Sequence, residues 1–203
     1  MLALLKKDWI VAVKYSRMVL LMMLLFTAVG LAVPKDAFYV IFPLVMCSAL
    51  TVSLIAYDER FRWDRYCETV PISRALCVSE KYLIHALLTG LITLLCGIGL
   101  ARHYAPDAPE FLSTLLVMLI AALLLPGLMF PLIFKLGTEK GRIYYFVVLF
   151  LGIGLSYVVS DAMRYSVTLA VGPGFCAAAA AALIVLYLLS WRLSIRLYER
   201  REL

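Results

Sequence analysis

Apolar residues fill this chain in six long runs, separated by short polar joints and a single long one. The runs, at about 18–33, 37–56, 82–101, 111–134, 143–160 and 175–191, approach the roughly 20 residues that cross about 30 Å of hydrocarbon. Backbone polar groups there must be satisfied within the segment, so each run is predicted to be a helix. Ahead of them, in residues 1–17, Leu2, Leu5, Trp9 and Val13 share one helical face and Lys6, Lys7, Lys14 and Arg17 another. That pattern predicts a helix in the membrane interface, basic side toward anionic headgroups. No small-x-small cleavage site follows the first run, so it is read as a retained span and not a cleaved leader. The expected fold class is an all-α integral membrane protein of one domain, 1–203, with six transmembrane helices and an N-terminal interfacial amphipathic helix.

The long joint is 57–81, YDERFRWDRYCETVPISRALCVSEK. Before Pro71, Asp58, Glu59, Asp64 and Glu68 interleave with Arg60, Arg62 and Arg65, while Trp63, Tyr66 and Val70 fall on one helical face. A short amphipathic helix with a mixed-charge outer face is predicted. Pro71 ends it, and Ser73 is placed to cap a second short helix with Arg74 exposed, Leu76 turned inward, and Ile72 and Cys77 as a staple. Two spans can be joined by a few residues; a joint of this length points to a functional surface. The plainer alternative is a re-entry turn whose aromatics rest at the membrane interface.

Composition changes the picture chiefly through charge. The chain is 65% hydrophobic, with a formal net charge of +6 and mean hydropathy +0.98. A basic balance can indicate nucleic acid, but the distribution speaks for the membrane. Sixteen of the 19 Lys and Arg fall in the N-terminal segment, 57–81, 135–142 and the tail; the remaining three are Lys35, Arg102 and Arg164. Positive charge gathers on the cytoplasmic side, so both termini and 57–81 are expected there. The runs contain no Asp, Glu, Lys or Arg, which argues against ion-coupled transport and voltage sensing. His85, alone in its run, reads as a hydrogen-bonded packing residue. No HExxH, G-x-S-x-G, paired intramembrane aspartates or P-loop is present, so no catalytic site is expected on this chain, nor a metal or cofactor. Cys47, Cys67, Cys77, Cys96 and Cys176 lack paired spacing and are expected as unbridged thiols. Ala177 to Ala182 and the glycine pairs of the third and fifth runs suit close helix packing, and Pro126 and Pro131 should kink the fourth.

The pattern E-R-F-R-W-D-R-Y-x-x-T-V-P-I-S-R from Glu59 to Arg74, followed by V-S-E-K-Y-L from Val78, resembles the first cytoplasmic loop of the small ABC-2 type permeases. Within that family it is most similar to the bacterial group that includes the phenol-soluble-modulin exporter permeases. The Lys-Lys-Asp-Trp start and the S-W-R-L-S-I-R-L-Y-E-R-R ending resemble the same group. The resemblance implies a half-transporter of the bacterial cell membrane, multi-pass, in which two six-span permeases pair as a homodimer or with a paralogue. A separate cytoplasmic ABC ATPase would bind ATP and Mg and dock on a coupling helix in the loop. By position, Glu59, Arg60, Trp63, Asp64, Arg65 and Tyr66 lie in or beside that contact, and Pro71, Ile72, Ser73 and Arg74 match its core. The expected function is an ATP-driven exporter permease for an amphipathic or hydrophobic substrate such as a peptide. The alternative is a membrane-embedded assembly or sensory subunit whose loop binds a regulator. The segment between the fifth and sixth runs, 161–174, is short for larger relatives with re-entrant helices there.

Overall fold

The computed structural model describes residues 2–32, 37–69, 73–105, 108–141 and 173–200, with a few positions between 143 and 151. It is built of helices: α1 (Leu2–Tyr15), α2 (Arg17–Ala32), α3 (Ala37–Arg60), α4 (Trp63–Thr69), α5 (Arg74–His103), α6 (Pro109–Leu119), a π-helical turn (Ile120–Leu124), α7 (Leu125–Leu136) and α8 (Pro173–Glu199). Among the described residues, α3, α5, the α6–α7 unit and α8 are long and apolar enough to cross a membrane. A fifth span results if α1 and α2, bent by 89°, count as one. The run predicted at 143–160 falls largely outside the described residues, as does 161–174.

The bend between α1 and α2 sits at buried Ser16. Its amide donates to the Ala12 carbonyl (2.9 Å) and its own carbonyl accepts from Leu20 (3.1 Å), so the chain turns without orphaning these groups. In α1, Leu4, Asp8 and Ala12 are buried against the bundle, whereas Leu2, Trp9 and Val13 point outward with Lys6 and Lys14. Lys7, assigned above to the outer basic face, instead turns inward.

Helices α3 and α5 contribute to all three apolar clusters of the bundle. Helix α5 has 30 residues, about 45 Å at 1.5 Å per residue. It is longer than the hydrocarbon layer, and its first turns, before Tyr82, carry the charged sequence S-E-K. The second short helix expected after Pro71 is therefore continuous with the third span. Ser73 does cap it: its Oγ accepts from the Leu76 amide at 3.3 Å.

The prolines decide where other helices touch. Pro43 has no amide for the Tyr39 carbonyl one turn back, and Gly30 of α2 packs there so closely that a Cβ would lie 2.8 Å from that oxygen. Pro131 likewise leaves the Gly127 carbonyl without its helical donor; Ser190 Oγ of α8 supplies one at 2.5 Å. The kink expected in the fourth run takes the form of the π-helical turn ending just before Pro126, an arrangement that absorbs the missing bond. Only some predicted small-residue contacts are present. A Cβ at Gly99 would lie 3.1 Å from Leu31 Cα of α2, whereas one at Gly90 or Gly97 would meet nothing within 4 Å. Ala177, Ala178, Ala181 and Ala182 are exposed, and Gly152 and Gly154 lie outside the described residues.

Gly30→Ala should force α2 from α3 and lower the thermal midpoint of the detergent-solubilised protein by several degrees, whereas Gly97→Ala should leave it unchanged or slightly raised. Equal midpoints for the two variants, followed by helical circular dichroism, would contradict the close approach.

Candidate partner-docking site

Helix α3 continues past its apolar run to Arg60, placing Tyr57, Asp58 and Glu59 on its last turns. Arg62 then adopts a left-handed backbone, φ 53°, a conformation that side-chain-bearing residues rarely hold and that stops the helix. Helix α4 starts immediately after it.

Beneath α4 lies an alternating cluster of buried charge. Lys81 Nζ is 2.5 Å from Asp8 Oδ2 and 2.6 Å from Asp58 Oδ2. Lys7 Nζ is 2.9 Å from Asp58 Oδ1 and 3.0 Å from Asp8 Oδ1. Asp8 and Lys81 are 1% and 3% exposed, so the charges are compensated by one another and not by water. Burial alone would pull the Lys81 ammonium down; Asp58 and Asp8 hold it above its ordinary value. Lys7 also lies 4.4 Å over the Trp63 ring, tying the start of α4 to the same cluster. The quartet is electrically balanced and joins α1, α3 and α5, with α4 resting on it.

Buried Glu80, next along α5, has an Oε1 that accepts no hydrogen bond. Burial pushes its carboxyl up to about 7, partly offset by Lys81. On the other side of α3, the Glu59 carboxylate accepts from the Thr138 amide (2.8 Å) and hydroxyl (2.5 Å), fastening the turn after α7 to the end of α3. An open cleft of about 720 Å³ runs between them, lined by Ser53, Tyr57, Arg60, Thr138, Glu139 and Lys140 among others.

A family model described as ABC-2 family transporter protein matches residues 3–199. The chain belongs to this family. No curated protein and no solved structure matches it. The protein is therefore a multi-pass membrane permease component of an ABC transporter, in agreement with the resemblance carried by the 57–81 motif.

In this ABC-2 permease the residues picked out by the motif are distributed over three helices. Glu59 and Arg60 lie on the last turn of α3, Trp63, Asp64, Arg65 and Tyr66 on α4, Ser73 at the cap of α5 and Arg74 at its first position; Pro71, Ile72 and Val70 lie outside the described residues. Arg60, Arg65 and Tyr66 are exposed. The Trp63 and Tyr66 rings touch, centroids 5.1 Å apart. Arg74, expected to be exposed, is half-buried and donates from Nη1 to the Glu199 carbonyl of α8 at 3.3 Å. Asp58 and Glu59, expected on an outer mixed-charge face, turn toward Lys81 and Thr138. Lys7, Asp8, Glu80, Lys81 and Thr138 were not anticipated as site residues. The signal that could have flagged them is a carboxylate in a basic leader, Lys-Lys-Asp, and an acid–base pair at the mouth of a span, Ser-Glu-Lys.

Above the charges a polar ladder joins α5 to α8. Tyr82 hydroxyl meets Ser190 Oγ at 2.8 Å and Ser194 Oγ at 2.7 Å, and Tyr187 hydroxyl donates to the Tyr82 carbonyl at 3.0 Å. Tyr187 must then accept from His85 Nδ1 (3.1 Å), which leaves His85 Nε2 to accept from Ser48 Oγ (3.3 Å). His85 is fully buried, the packing residue expected of it.

Lys81→Met should strand Asp8 and Asp58 and cost about 3–5 kcal/mol, read as a large fall in thermal midpoint and folded yield; Asp8→Asn in the same chain should recover part of it. Glu80 gives a pH signature. Its folded carboxyl sits above the ordinary value, so the folded state holds the proton more tightly and stability falls as pH rises from about 4.5 through about 7. Glu80→Gln should flatten the pH dependence of the midpoint in that window, and a wild-type-like slope in the variant would refute the assignment.

Proposed function

We propose that this permease is the membrane half of a bacterial ABC exporter and that a separate ATPase, holding ATP and Mg, docks on α4 and the adjoining ends of α3 and α5. The observation that carries this reading is the seating of α4. A short helix with Arg65 and Tyr66 outward is braced on a buried ionic cluster shared by α1, α3 and α5. Force applied to such a helix is transmitted to three elements at once. Arg and Tyr are common anchors of interfaces, with flanking charges setting register. The apolar parts of the described spans carry no charged side chain, which favours an outside source of energy over gradient coupling.

The charge distribution supports a cytoplasmic location for both termini and the docking segment. Spans whose apolar parts are uncharged suit an amphipathic or hydrophobic cargo, a peptide among them, better than an ion. Helix α8 presents Ile184, Val185, Leu188 and Leu189 outward along an apolar face, which supports pairing with a second permease, identical or paralogous, within the bilayer.

The test is recovery of partners from bacterial membranes on the tagged full-length chain. A co-purifying protein with a P-loop supports the exporter reading; a kinase or scaffold in its place supports the assembly or sensory role. Arg65→Glu combined with Tyr66→Ala should weaken ATPase recovery about tenfold or more, as for a pair of interface anchors, with the helical content unchanged. Undiminished recovery would move the docking site elsewhere.

A further inference from the structure

Cys67 and Cys77 lie ten residues apart in sequence, on α4 and α5, yet Cys77 Sγ approaches Cys67 Sγ to 3.6 Å. Cys67 is the one buried side chain of α4 among those described, its neighbours Arg65, Tyr66 and Thr69 being exposed and Trp63 half-buried. Cys77 is half-buried on the first turn of α5. The remaining cysteines, Cys47, Cys96 and Cys176, belong to apolar runs.

We propose that Cys67 and Cys77 form an oxidation site at which a hydroperoxide converts the two thiols into a disulfide that locks α4 onto α5. The sulfurs need to close by about 1.5 Å to reach a bond of about 2.05 Å, a small movement for a seven-residue helix attached through the left-handed Arg62. The chemistry balances. One thiol, as thiolate, attacks the peroxide oxygen, giving a sulfenic acid and releasing water once its proton is counted. The second thiol displaces the hydroxyl from the sulfenic sulfur, and a second water leaves. Two thiols are oxidised and one peroxide is reduced.

The microenvironment sets the tempo. Burial, and then the neighbouring Cys67, push the Cys77 thiol up to about 12, so at neutral pH Cys77 is protonated while α4 is seated. Reaction therefore begins in moments when α4 lifts from α5, and its rate reports that local opening. Once formed, the disulfide removes the opening. This lock follows from the sulfur geometry alone and stands whether or not the ATPase docks on α4.

The sequence makes the test direct. Trypsin acting on the denatured chain cleaves after Arg65, Arg74 and Lys81, placing Cys67 in residues 66–74 and Cys77 in residues 75–81. After hydrogen peroxide treatment of the folded full-length protein in detergent or nanodiscs, mass spectrometry should find these peptides joined, and dithiothreitol should separate them. The same treatment should slow cleavage of the native protein after Arg65 several-fold, and Cys67→Ser should abolish both effects. Peptides that remain unlinked, or that carry only sulfinic acid on either cysteine, would overturn the site. Linked peptides with unchanged cleavage at Arg65 would overturn the lock. Faster linking at pH 9 than at pH 7 is also expected, and a pH-independent rate would count against the thiol chemistry.

Discussion

Lys81 stands buried between two carboxylates, which supply the counter-charge that water cannot. Removing a charge from water costs several kcal/mol, and the cost is offset only while its partners are in place. Each member of the Lys7–Asp8–Asp58–Lys81 quartet therefore fixes where the others must be. Because they come from α1, α3 and α5, the interfacial helix and two spans share one point of registration. A slip of α1 by one residue would put Trp9 or Lys7 where Asp8 is, leaving Lys81 with Asp58 as its one remaining carboxylate in the quartet. A purely apolar contact of the same area would tolerate such a slip. The quartet is better regarded as setting position than as adding stability.

Higher in the bundle, the same requirement operates without charge. In hydrocarbon, a carbonyl that loses its helical donor needs another. Pro131 removes one from Gly127, and Ser190 replaces it; Pro43 removes one from Tyr39, and Gly30 packs over that oxygen. Tyr82, Tyr187 and His85 extend this logic into a ladder whose donors run in one direction. The prolines thus mark where a neighbouring helix approaches: Ser190 supplies the missing donor opposite Pro131, and Gly30 permits the close contact opposite Pro43.

The sequence was most legible where one local rule decided the outcome. Runs of apolar residues marked the four spans seen among the described residues. Ser73 capped its helix as its position after Pro71 suggests, and the motif from Glu59 to Arg74 named the family. It was least legible where partners are distant along the chain. Asp8 and Lys81 are 73 residues apart and Lys7 and Asp58 51, so no periodicity links them, and on composition alone Lys7 belongs with the basic face. Gly97 and Gly99 look equivalent in sequence, yet only Gly99 faces another backbone, because two residues turn a helix by more than half a revolution. Arg62 offered no cue to its left-handed backbone, and without it α3 and α4 would read as one helix.

The π-helical turn at Ile120–Leu124 has a consequence for how the fourth span is phased. A wider turn holds an additional residue, so the helix beyond it is rotated by roughly 100° from where an unbroken helix would be. Helix α6 meets α8 near Cys176, whose thiol donates to the Leu112 carbonyl at 3.7 Å, and α7 meets it again near Ser190. The span is thus two half-helices set to different angular offsets, each aimed at a different stretch of one long neighbour. Migration of the wide turn along the span would turn only the residues it passes, letting a face between the halves change without either end leaving its seat.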